Sequence, residues 1–83
     1  MSFTQEQIEE LDLLLHYRLD TTMEGIKVHH TAKPAVIAAV KRLHEKGLVT
    51  QVDGGYLTDL GRETAEHAQA LLLLLAPVEE LAS

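Results

Sequence analysis

Apolar residues recur at three- and four-residue spacing in three stretches of this chain, and shorter clusters separate them. In the first stretch, Ile8, Leu11 and Leu15, with Leu19 just past the end, make the inward stripe of a helix over residues 4–18. Thr4 and Gln7 form a capping-box pattern at its start, with Phe3 as a hydrophobic staple residue. Glu6, Glu9 and Glu10 crowd its first two turns, where negative charge suits the helix dipole. Leu13 and Tyr17 fall on the opposite side, so a single buried stripe does not account for this helix. The second stretch places Val36, Ile37, Val40 and Leu43 on one helical face, behind Pro34 in the first turn and ahead of Gly47 as a left-handed stop.

After Gly47 the pattern changes period. Leu48 to Val52 is a short, partly β-branched run, Asp53-Gly54-Gly55 supplies a turn, and Tyr56-Leu57 returns as a second strand. Thr58 or Asp59 then caps a third helix over residues 59–75. Leu60, Thr64, Ala65, Ala68, Leu71, Leu72 and Leu75 share one side of it, opposite Arg62, Glu63, Glu66 and Gln69. Between residues 20 and 32 two readings compete. Asp20 or Thr21 would cap a short helix ending near Val28, the reading preferred here, whereas alternation of Ile26 and Val28 with Lys27 and His29 suits a strand pairing with the hairpin. Residues 1–83 thus form one domain, mainly α with a small β-hairpin, in the order of a winged helix-turn-helix.

The run Thr31 to Arg62 contains Val40, Leu43, Gly47-Leu48-Val49, Tyr56-Leu57-Thr58 and Gly61-Arg62. This pattern resembles the recognition helix, wing and following helix of bacterial regulators of the MarR and PadR type. The whole chain resembles a family of short, uncharacterised bacterial proteins sometimes labelled DNA-binding. The resemblance implies a homodimeric DNA-binding protein, a small regulator of transcription, and covers about a third of the chain by its regulator-like part.

Charge sharpens that expectation. The net charge is −6, yet it is unevenly spread. Residues 25–52 carry Lys27, Lys33, Lys41, Arg42 and Lys46 against Glu45 alone, while six acids face one arginine on either side of that zone. The exposed face of the second helix is expected to be Ala35, Ala38, Arg42 and Glu45. Arg42 is the side chain there suited to a bidentate contact with guanine, and the alanines suit a thymine methyl. Lys27, Lys33, Lys41 and Lys46 suit the phosphates of double-stranded DNA. The hairpin tip Asp53-Gly54-Gly55 carries no cation, so the expected binding is weak.

The end of the third helix points to a second surface. Beyond Gln69 its polar side disappears, because Ala70, Leu73 and Leu74 fill it. These three, with Leu13 and Tyr17, are the candidate homodimer contacts; the competing expectation is that the tail from Pro77 to Leu81 folds back over the leucines. A winged helix that docks another protein without nucleic acid is the alternative to DNA binding.

Catalytic chemistry finds no support. There is no cysteine, no phosphate loop, no nucleophile elbow and no HExxH spacing. The adjacent pair His29-His30 cannot readily turn both rings to one ion. The expectation is therefore no enzyme, no cofactor and no metal site. No basic-then-apolar leader opens the sequence, and the apolar run Ala70 to Pro77 is far short of the roughly 18 residues that span a membrane, so a cytoplasmic location without membrane contact is expected.

Overall fold

The first helix starts where its capping box predicts. The Gln7 N–H donates to Thr4 Oγ1 at 3.1 Å and the Thr4 N–H donates to Gln7 Oε1 at 3.0 Å. A computed structural model describes residues 1–79 and orders them as α1 (Gln5–Leu14), β1 (Ile26–Lys27), α2 (Pro34–Glu45), β2 (Val49–Gln51), β3 (Gly54–Leu57) and α3 (Asp59–Leu74). Three helices pack with one antiparallel sheet of order β1-β3-β2, an arrangement compatible with a winged helix. No described helix is long and apolar enough to cross a membrane. Glu80 and Leu81, part of the tail considered above, lie outside the described residues.

Residues 20–32 hold a strand, not a short helix. β1 pairs with the free edge of β3, Ile26 opposite Gly55 and Lys27 opposite Gly54. The alternation of Ile26 and Val28 prevails because the edge of β3 satisfies the backbone there, and the Val28 N–H goes on to donate to the Asp53 carbonyl at 2.8 Å. This close approach also explains why the glycines belong to β3 and not to the turn, which is Val52-Asp53. Gly54 has φ of 125°, and a Cβ there would fall on the Ile26 carbonyl.

The core is assembled from Leu13, Leu14 and Tyr17 of the first segment, Ala39, Val40 and Leu43 of α2, Leu48 and Val49 at the hairpin, and Ala65 of α3. α1 stops at Leu14 and continues only as turns through Tyr17. It also presents the face carrying Leu13 and Tyr17 inward, while Ile8 is exposed and Leu11 and Leu15 are half-buried.

α3 is held by its first turn. Thr58 Oγ1 accepts from the Gly61 N–H at 2.9 Å and donates to the Gly47 carbonyl at 2.6 Å, and the Thr58 N–H donates to the Leu48 carbonyl at 3.1 Å. Arg62 donates to the carbonyls of Leu19 and Thr21, both at 2.7 Å. Gly61 permits this fit, since a Cβ at that position would lie 2.8 Å from the Leu48 carbonyl carbon and closer still to its oxygen. Further along, Ala65 and Ala68 face the core, but Leu71, Leu72 and Leu75, which the helical pattern assigned to it, lie beyond it and are exposed.

Substituting Gly61→Ala should therefore lift α3 off the hairpin and cost about 3 kcal/mol, the upper range for overpacking. Urea denaturation measures this, and a loss below about 0.5 kcal/mol would show that the contact yields without consequence.

Candidate functional site

α2 carries the basic residues on two different surfaces. Lys33 stands at its N-cap position, and Lys33, Ala35, Ala38 and Lys41 are all exposed, as is Lys27 on β1. Among the described residues none of these three lysines enters an ion pair. Arg42 and Lys46 instead turn toward α1.

Their common partner is Glu10. Its side chain is 7% exposed, and Arg42 Nε donates to one carboxylate oxygen at 2.9 Å while Lys46 Nζ donates to the other. The Arg42 guanidinium also donates to the Glu6 carbonyl at 3.3 Å and lies 3.5 Å from the Glu6 and 3.9 Å from the Glu9 carboxylates. Only 22% of the Arg42 side chain is exposed, so the residue expected to read guanine is covered by neighbouring acids. The physical reason is compensation: a carboxylate withdrawn from water demands cations, and Arg42 and Lys46, one turn apart at the end of α2, supply them.

Burial pushes the Glu10 carboxyl up, but hydrogen bonds from Lys46 and Arg42, with the charges behind them, outweigh it and hold the pKa below its ordinary value of 4.5. The burial of Glu10, which the sequence places only among the acids that suit the helix dipole, had a signal of its own. Glu10 shares the spacing of Leu13, Leu14 and Tyr17, and a carboxylate on the core-facing stripe is evidence of a buried partner.

The dimer candidates divide as well. Leu13 and Tyr17 are spent inside the protomer: both are buried, and the Tyr17 hydroxyl donates to the Gly55 carbonyl at 3.1 Å, tying α1 to β3. Neither lines the groove between α1 and α3. Ala70 is exposed, and Leu73 and Leu74 are 63% and 75% exposed. Beside them an open groove runs between α1 and α3, with Ile8, Leu11 and Leu15 on one wall and Leu71, Leu72 and Leu75 on the other. The residues at this surface are thus mostly those that helical periodicity had assigned to the core.

Two further observations bear on chemistry. His29 and His30 are exposed in the turn after β1. Among the described residues no group of three or more histidines, aspartates or glutamates is placed to hold a metal ion.

A small winged-helix-like domain with an acid-locked α2 and an apolar α1/α3 flank is the class of protein these features define. Residues 1–76 match the model of a family of unknown function, DUF5669, and the chain belongs to that family. No curated protein and no solved structure matches it, so no named homologue supports the resemblance to MarR and PadR regulators.

Because the folded pKa of Glu10 is depressed, its contribution to stability is complete above the ordinary value of 4.5 and is lost as pH falls through the lower folded value. Replacing it in Glu10→Gln should cost about 1–3 kcal/mol at pH 7, the worth of a hydrogen-bonded charge, and should flatten the acid limb of the stability curve. Thermal melts between pH 3 and 7 test this, and parallel acid limbs for the two proteins would refute the role assigned to Glu10.

Proposed function

We propose that this protein is a docking module that acts as a homodimer, joined through the apolar flank of α1 and α3, and that it binds partners instead of catalysing a reaction. The observation that carries this reading is the exposure of the five consecutive leucines Leu71 to Leu75. Together they show solvent the equivalent of about three whole leucine side chains, worth about 5–9 kcal/mol per protomer if fully buried. Two protomers double that sum, which then compares with an association cost of about 4–15 kcal/mol. A two-fold contact is the economical solution, because each copy supplies both a leucine ridge and a groove beside it. Phe3 is also exposed at this groove and extends the apolar flank.

A second reading, duplex DNA binding by a small regulator of transcription, keeps one observation in its favour. Residues 25–44 contain no acid, and Lys27 on β1, Lys33 at the N-cap of α2 and Lys41 in its second half are exposed. With Arg42 and Lys46 held by carboxylates, such binding rests on phosphates and reads little sequence. Three phosphate contacts per protomer give a salt slope of about −2.7, and about −5.4 for a dimer.

Sedimentation equilibrium and fluorescence anisotropy separate these readings. The wild-type chain is expected to dimerise, and Leu73→Gln with Leu74→Gln is expected to leave folded monomers. A wild-type monomer at every concentration ends the first reading. Lys33→Ala with Lys41→Ala should weaken binding to pooled duplexes if the second holds, and a lack of any binding at low salt ends it.

A further inference from the structure

On the side of α1 away from the leucines, a second cleft of about 640 Å³ opens between α1, β1 and α2. Its floor is apolar: Leu13, Ile26, Val28, Val36 and Ala39. In a helix-turn-helix a helix precedes the recognition helix, but here the described chain passes from β1 to α2 through turns at residues 30–32, and no helix of its own fills that slot. The two walls differ in charge. α1 contributes the acids Glu9 and Asp12, beside His16, whereas β1 contributes the cation Lys27, beside His29.

We propose that this cleft binds an amphipathic helix from another protein, with its apolar stripe on the floor, a cationic flank toward Glu9 and Asp12, and an anionic flank toward Lys27. The opposed wall charges select such an occupant. An open trough cannot enclose most of a small molecule's surface, as ligand pockets do, whereas helix-in-groove contacts need only one face covered. A second copy of this chain fits poorly, because the leucine-rich end of α3 has no basic residue in its last turn to meet the acidic wall. The dimer contact is made at the other groove, which shares Asp12 of α1 with this cleft and no other lining residue.

The test is a selection on the immobilised full chain from a displayed library of helices about four turns long, with a fixed apolar stripe and randomised flanks. Ala35, exposed at the lip of the cleft, provides the control: Ala35→Arg obstructs the trough, and its thermal melt reports whether the fold is kept. Enriched helices are expected to carry Lys or Arg on one flank and Glu or Asp on the other, and to bind Ala35→Arg and Lys27→Glu at least about tenfold more weakly. Enrichment without flank bias, or equal enrichment on Ala35→Arg, would overturn the proposal. So would stoichiometric binding of the small apolar anion anilinonaphthalene sulfonate, lost in Ala35→Arg, where no helix is enriched. Sedimentation of the same samples reports on the α3 contact separately, so that a failed dimer and an unoccupied cleft are told apart.

Discussion

A buried carboxylate sets the arrangement of this molecule. Glu10 lies on the face of α1 that enters the core, where an unpaired charge would be intolerable. Arg42 and Lys46 reach it from α2 and neutralise it. The pairing selects the roll of α1 about its own axis. With Glu10 turned to α2, Leu13, Leu14 and Tyr17 must enter the core, and the stripe of Ile8, Leu11 and Leu15 must face the far end of α3. Rolled the other way, Glu10 would leave its cations, and the Tyr17 hydroxyl would lose the Gly55 carbonyl.

The exposed surfaces follow from that roll. Cations that a linear reading gathers into one basic patch are divided, two serving α1 and three remaining exposed along β1 and α2. Apolar side chains are divided as well. Those freed from the core line the trough against the leucines of α3, and together they form an apolar surface that is costly to leave in water.

The likeness to winged-helix regulators has a structural explanation in this molecule. Gly47 takes a positive φ at the end of α2, Leu48 and Val49 are core, Thr58 caps α3, Gly61 allows close approach to Leu48, and Arg62 holds the carbonyls of Leu19 and Thr21. Each of these positions of the motif builds the joint between hairpin and last helix. A motif made of such residues reports an architecture, and architecture alone does not carry function.

Local chemistry made much of the fold legible. The Thr4 and Gln7 box, Pro34, Gly47 and Thr58 act within a few residues of themselves, so helix starts and stops follow from sequence with small errors. Periodicity also placed Val40 and Leu43 of α2 in the core, though it passed over the buried Ala39 and counted Ile37, which is half-buried. α1 has two stripes and α3 outlasts the core, and for these periodicity states only that a face is apolar, not what covers it. The choice of face rests on Glu10 meeting Arg42 and Lys46, more than thirty residues away. The strand at Ile26–Lys27 likewise exists because β3 offers it an edge. Contacts so distant along the chain leave no periodic trace, and only the tertiary structure decides them.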